Sequence, residues 1–255
     1  MLDDVEVISL DAGGTLFSPS PSVGHIYEKI AISRKIKPPS AESMNLKFKE
    51  YWQKTAGFDF SKKAWKEVVD YCFLQTCPEG VDQDLFDNLY LAFENIENWK
   101  LYSDVELALD LFQQNGKMIV ISSNWDERLK SLISGFGLEH HLSGIFVSHE
   151  IGFSKPSPQF FNSILDRIKC APSQILHIGD DYEKDYLGAK KAGFKSLLLN
   201  RSETKTGDPT EPKDIIHSLI DTLNFSSLPT ISLDDVPESA KDVEFYHVEE
   251  PDKET

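Results

Sequence analysis

Cysteine is scarce: Cys72, Cys77 and Cys170 are the three in 255 residues. An odd number at unrelated spacings argues against a disulfide framework and for free thiols in a reducing compartment. No apolar run reaches about 18 residues, so neither a transmembrane helix nor a membrane partner is expected. No secretory leader is expected ahead of Asp11, because Asp3, Asp4 and Glu6 stand where a leader would be positive. Positive charge is also short, with 26 Lys and Arg against 42 Asp and Glu and a net charge of −16. With no basic stripe, nucleic acid is not an expected partner. No internal repeat is apparent. The rest is ordinary for a globular protein, 40% hydrophobic and 27% charged, and long enough for one large domain or a core with an insert. The expected location is the cytoplasm, with the nucleus as a second.

Against that background one stretch stands out, Val5 to Leu16, reading VEVISLDAGGTL. A short run with Val5, Val7, Ile8 and Leu10 predicts a buried strand. It stops at Asp11, where open α/β sheets place their ligands. Gly13 and Gly14 let backbone N–H groups approach whatever that carboxylate engages, and Thr15 adds a hydroxyl. Alone, the same letters describe a strand entering an ordinary Asp-Gly turn. Three further segments change the balance. MIVISSN (118–124) is a second apolar strand ending in Ser123 and Asn124. FSKPSP (153–158) holds Lys155 between turn residues. ILHIGDDYEKD (175–185) is a third strand ending at Asp180 and Asp181, with Asp185 five residues after Asp180. Each feature has a bland local reading: Ser123 and Asn124 as caps, Lys155 as a solvated charge, the acids as helix N-terminal residues favoured by the macrodipole. All of them together at strand ends are not bland.

The remaining segments alternate. From 25 to 93 four helical stretches are expected, 25–35, 41–55, 62–74 and 82–93, with aromatic residues on their inner faces. FSPSPSVGH (17–25) leads into them as a linker. Beyond them, Ser103 with Glu106 three residues later predicts a capped helix over 103–115, stopping at Gly116. Further helices are expected over 125–136, 158–169, 184–192 and 212–223, and strands over 144–148, 174–178 and 195–199. Strands separated by helices predict an α/β fold with a doubly wound parallel sheet. From 226 to 255 nine acids face two lysines, a composition expected to be mostly disordered; a docking segment for a protein partner is the alternative.

The order of Asp, Ser, Lys and paired acids resembles the haloacid dehalogenase-like (HAD) hydrolase superfamily, whose motifs are DxDxT, a Ser or Thr after a strand, a Lys, and GDxxxxD. The stretches SNWDERL, SKPSPQFF and HIGDDYEKDYLGAKKAG are similar to one eukaryotic branch of it, whose members vary at the Gly13 position. The resemblance covers roughly 5–200. It implies a Rossmann-like core over 1–18 and 100–225, a helical cap over 19–99 inserted after the first strand, and the acidic tail outside both. It implies Asp11 as nucleophile with Lys155 beside it. Thr15, Ser123, Asn124 and Lys155 would hold phosphoryl oxygens, and the metal site would take Mg²⁺ on Asp11, the Gly13 carbonyl and Asp180, with Asp185 and Asp181 holding metal-bound water or Lys155. The substrate would be a small phosphorylated metabolite. Dehalogenation fits less well, since that branch typically has Tyr at the Gly13 position and no need of Mg²⁺.

One departure matters. The phosphatase form of the first motif places a general acid, Asp, where this chain has Gly13, and such help is typically worth about 10² to 10⁴ in rate. His25, Lys29 or other insert lysines could replace it, a phosphonate-cleaving relative offers a second route, and a weak or inactive binding protein is a third. Two readings follow: a Mg²⁺-dependent phosphatase acting through Asp11, and a catalytically weak HAD-fold protein with a binding or regulatory role.

Overall fold

Val7–Leu10 (β1) is buried along its whole length, as a strand covered on both faces of a sheet must be. The computed structural model of the protein describes residues 4–55, 57–202 and 214–225. After β1 comes a three-residue strand, Phe17–Pro19 (β2), and then four helices: Val23–Ser33 (α1), Ala41–Lys54 (α2), Lys62–Phe73 (α3) and Gln83–Ala92 (α4). Trp99–Leu101 (β3) returns antiparallel to β2, with Phe17 opposite Leu101. From there helix and strand alternate: Val105–Gln114 (α5), Met118–Ser123 (β4), Arg128–Gly135 (α6), Gly144–Val147 (β5), the single turn Ser148–Ile151 (α7), Pro158–Ile168 (α8) and Ile175–Gly179 (β6). A π-helical segment, Tyr182–Leu187, runs into Gly188–Lys191 (α9), followed by Lys195–Leu199 (β7) and Ile215–Ile216 (β8).

Six of these strands form one parallel sheet in the order β5-β4-β1-β6-β7-β8. The fold is a doubly wound, Rossmann-like α/β fold. Leu10 pairs with Ile121 on one side and Ile178 on the other, so β1, β4 and β6 finish together. The chain builds outward from β1 in both directions, which opens a crevice above the ends of these three strands. Asp11, Ser123 and Asp180 stand at or just beyond those ends.

Each face of the sheet is covered. Ile8, Leu10 and Ile121 pack with Leu109 and Phe112 of α5 and with Leu129 and Leu132 of α6. Val7, Val120 and Ile175 pack with Phe160, Phe161 and Ile164 of α8. Helices α1 to α4 carry a separate core of Tyr27, Met44, Val68, Phe73, Phe86 and Leu89. Each begins on a side-chain cap: Ser22, Ser40, Ser61 and Asp82 accept from backbone N–H groups three residues on, which satisfies donors that a helix start otherwise leaves open. No helix among the described residues is long and apolar enough to cross a membrane.

Three expectations are corrected. The segment expected as a linker contains β2, because its backbone groups find partners in β3, distant in sequence. The closing helix expected over 212–223 does not form in its described part. Ile215 and Ile216 instead extend the sheet beside Leu198 and Leu199, and a 3₁₀ segment spans Leu219–Phe225. Edge pairing and burial of Ile216 override local helix preference there. The helix expected from Ser103 starts at Val105 without a side-chain cap. The acidic tail from 226 lies outside the described residues.

The residue that organises this corner is Asp104, buried at 3% exposure. Its carboxylate accepts from Arg201 (3.0 and 3.2 Å), the Ser218 hydroxyl (2.8 Å) and the Leu219 N–H (2.7 Å). Arg201 also donates to the Thr15 carbonyl at 2.6 and 3.1 Å, tying the loop after β1 to the C-terminal segment. Removing Asp104 leaves a mostly buried guanidinium without its counter-charge, so Asp104→Ala is expected to cost about 3 kcal/mol. Ser103→Ala is expected to cost under about 0.5 kcal/mol, as an uninvolved surface change does. Urea unfolding of both variants checks the contrast.

Candidate active site

The crevice brings the four motifs together around one lysine. Lys155, in the loop before α8, is 4% exposed. Its ammonium donates to Asp11 Oδ1 at 2.7 Å, Asp185 Oδ1 at 2.5 Å and the Ser122 carbonyl at 2.9 Å. The Ser123 hydroxyl donates to the same Asp11 oxygen at 2.8 Å. Asp11 Oδ2 accepts no hydrogen bond from the described residues. Asn124 works on the lysine backbone: its amide donates to the Lys155 carbonyl at 2.9 Å and its oxygen accepts the Lys155 N–H at 2.7 Å. Its side chain thus positions Lys155, a different task from the phosphate contact expected.

The acids beyond β6 divide. Asp11, Asp180 and Asp185 each offer a carboxylate oxygen, all within 4.8 Å of one another. Asp181 does not join them. One of its oxygens caps the N–H groups of Glu183 and Lys184, and the other takes the Lys184 ammonium at 2.5 Å. Gly13 lines the cavity, whereas Thr15 is fully buried and does not, so its hydroxyl is not presented there. Gly14 adopts φ +77° and a Cβ on it would lie 2.3 Å from Asp180 Oδ2. Glycine is therefore needed at Gly14 both by its backbone and by the approach of Asp180.

Charge follows from this packing. Burial works against the ammonium of Lys155, yet Asp11 and Asp185 overcome it and hold the lysine above its usual range. Burial likewise opposes ionised Asp185, but Lys155 and His177 bring its carboxyl well below the usual carboxylate range. Asp11 goes the other way, raised by burial and by Asp185 against the pull of Lys155. Asp180 reaches solvent on one side. Lost hydration on its inner side, with Asp11 and Asp185 nearby, pushes it up to about 7.

Beneath the lysine lies a set of residues that sequence reasoning passed over. His177 on β6 contacts Asp185 Oδ1 at 3.1 Å through Nε2 and Ser9 Oγ at 3.1 Å through Nδ1, and Ser9 meets Ser122 at 2.7 Å. All three are fully buried. The available signal was a polar residue one position before the last of VISL and MIVISS and in the middle of ILHIG, each in a largely apolar strand.

A cavity of about 460 Å³ opens from these carboxylates toward helices α1 to α4. Asp126, just beyond Asn124, ties that layer to the core. It is fully buried, binds Arg128 through both oxygens (2.9 and 2.7 Å) and accepts from the Trp65 indole at 2.8 Å. Arg128 continues to the Tyr90 carbonyl at 3.0 Å and lies 3.7 Å over the Tyr90 ring. Neither His25 nor Lys29, considered above as proton donors, lines the cavity.

Comparison with known proteins agrees with the geometry. The model of the haloacid dehalogenase-like hydrolase family matches residues 5–193. Haloacid dehalogenase-like hydrolase domain-containing protein 3 of Danio rerio is 32% identical over 222 residues, covering 82% of this chain and 91% of that protein. A phosphoserine phosphatase of Thermus thermophilus is 29% identical over 124 residues, 48% of this chain and 49% of the relative. Among solved structures, the HAD-hydrolase YfnB from Bacillus subtilis bound to magnesium superposes with a TM-score of 0.69 at 20% identity, covering 87% of this chain and 98% of that one. Four motifs meeting at one strand-end crevice, with a family match across most of the chain, place this protein in the haloacid dehalogenase-like hydrolase family, in the branch of the domain-containing protein 3 relatives.

Proposed function

We propose that the chain is a Mg²⁺-dependent phosphate monoester hydrolase that forms an aspartyl-phosphate on Asp11. The observation that carries this reading is the Lys155 ammonium held at once by Asp11 and Asp185, with Ser123 on the same Asp11 oxygen. In that arrangement Oδ2, without a hydrogen bond from the described residues on a carboxylate that lines the cavity, is the attacking atom. A carboxylate nucleophile divides hydrolysis into two easier displacements. Two anions must approach for the first, so positive charge has to be ready in advance. Lys155 provides it, at a position fixed by Asp185 and by the Asn124 clasp on its backbone. Ser123 orients Asp11 and stands beside the site a phosphoryl oxygen would occupy.

The three clustered carboxylates fit Mg²⁺. They are hard oxygen donors within reach of one another, and Lys155 balances Asp11 and Asp185 while Asp180 retains repulsion from both. Asp11, Asp180, Asp185 and the Gly13 carbonyl are the proposed ligands. The ion, when bound, neutralises charge on the phosphoryl group and the carboxylates. Helices α1 to α4 serve as the cap that closes over a small phosphorylated metabolite. A catalytically weak binding protein remains the second reading, favoured by Gly13.

Two outcomes are expected. With 4-nitrophenyl phosphate, phosphate release requires Mg²⁺ and falls at least about 10³-fold in Asp11→Asn; silence of the folded wild type across a panel of phosphometabolites would favour the second reading. Asp180 supplies a pH signature. Its folded pKa of about 7 lies above the ordinary carboxylate value, so the folded state holds its proton longer and stability is lost as pH rises through 7. In chelator, Asp180→Asn is therefore expected to melt above wild type at pH 8, with the gap closing toward pH 5. Added Mg²⁺ raises the melting temperature of wild type at pH 8 more than that of the variant.

A further inference from the structure

Attacking and leaving oxygens lie roughly in line in phosphoryl transfer, so the leaving group of an ester held on Asp11 projects away from the strand ends into the cavity. There it meets aromatic surface. Beside the nucleophile, a Cβ on Gly13 would come within 3.0 Å of the Trp125 ring, so the indole stands where any side chain of Gly13 would begin. Farther out the cavity is walled by Tyr27, Trp52, Trp65 and Phe86 among others, and its lining from β2 through β3 includes no Asp, Glu, His, Lys or Arg among the described residues.

With Asp180 committed to Mg²⁺ in the reading above, proton donors are correspondingly poor. The Tyr90 hydroxyl has contacts at 3.4 Å with Asp126 and Glu127, and burial raises it above the usual tyrosine range. Arg128 is engaged by Asp126, and Lys184 by Asp181. Lys155 is held charged by two carboxylates. Tyr27 is different in kind: 2% exposed, lining the cavity, and without a hydrogen-bond partner among the described residues. It too is raised by burial, which makes it a donor of a hydrogen bond and a poor donor of a proton.

An alkoxide leaving group is about as basic as hydroxide, for which water has a pKa of about 15.7, and departs slowly without an acid. A phenolate, with a conjugate acid near pKa 10 as in tyrosine, needs little help. We propose, resting on the phosphatase reading above, that the substrates are phosphate monoesters of aromatic alcohols. The ring lies against Trp52 and Trp125, and the phenolic oxygen leaves unprotonated. Asp11 Oδ2 bonds to phosphorus as the bond from phosphorus to the phenolic oxygen breaks, its electron pair staying on the phenolate. Water then attacks phosphorus, the bond to Asp11 breaks with its pair returning to the carboxylate, and dihydrogen phosphate leaves. One of its protons passes through solvent to the phenolate.

The test measures phosphate release by the full chain with Mg²⁺ from 4-nitrophenyl, phenyl and 2-naphthyl phosphates, from propyl phosphate, and from acetyl phosphate, which has a good leaving group and no ring. The expected kcat/KM falls steadily as the leaving group becomes more basic, with phenyl phosphate ahead of propyl phosphate by about 10² to 10⁴, the usual worth of a missing acid. KM for 2-naphthyl phosphate lies below that for phenyl phosphate, and Trp52→Ala removes that advantage. Equal turnover of propyl and phenyl phosphates, or turnover of acetyl phosphate without the aryl esters, overturns this inference while the phosphatase reading stands. No turnover of any of the five overturns both.

Discussion

One buried ammonium decides the geometry of this protein's crevice. Lys155 is out of water, and a charge there is tolerable only with matched partners. Those partners come from three remote parts of the chain: Asp11 beyond β1, the Ser122 carbonyl on β4 and Asp185 beyond β6. The sheet makes the meeting possible, because β1, β4 and β6 are adjacent, parallel and in register at their ends. His177, Ser9 and Ser122 extend the polar contacts down between the strands. The result is a carboxylate lining the cavity with one oxygen pinned and the other without a hydrogen bond from the described residues.

The same chain that builds this positive point surrounds it with apolar surface. SNWDERL, the segment following β4, contributes to both. Ser123 touches Asp11 and Asn124 clasps the lysine. Trp125 stands over Gly13, and Asp126 with Arg128 fastens the helical layer through Trp65 and Tyr90. Gly13 and Trp125 are best understood as a pair. The glycine leaves room for the indole, and the indole makes the wall beside Asp11 aromatic. The hydrogen bond on Asp11, the clasp on Lys155 and the aromatic wall beside them are thereby set by neighbouring residues of one loop.

Much of this was readable in advance because buried strands announce themselves. Apolar runs that stop at Asp11, at Ser123 and at Asp180 marked both the sheet and its strand-end crevice, and aromatic and apolar residues at helical spacing marked the four inserted helices. What escaped depends on partners distant in the chain. Phe17–Pro19 is a strand only because Trp99–Leu101 lies beside it, and its Pro-Ser context reads as a linker. Ile215 and Ile216 follow the sheet edge. Asp104 carries no local sign that Arg201 and Ser218 will converge on it, so the cap pattern at Ser103 misled. Asn124 and Asp181 were assigned the right neighbourhood and another task, since adjacent backbone groups claim their side chains first. The family resemblance implies a phosphate contact for Thr15, and the tertiary fold buries that residue. The Trp125 contact with Gly13 is invisible to any argument from spacing.

The central claim is that Asp11 Oδ2 is the atom that accepts the phosphoryl group, with Lys155 and Ser123 already in position around it. Crystals of the chain grown with Mg²⁺ and beryllium trifluoride, which mimics a phosphoryl group on a carboxylate, address it directly. The account predicts beryllium bonded to Asp11 Oδ2, with fluorine within hydrogen-bond distance of Lys155 and Ser123. Beryllium trifluoride bound elsewhere, or excluded while Asp11 keeps its present contacts, would contradict it.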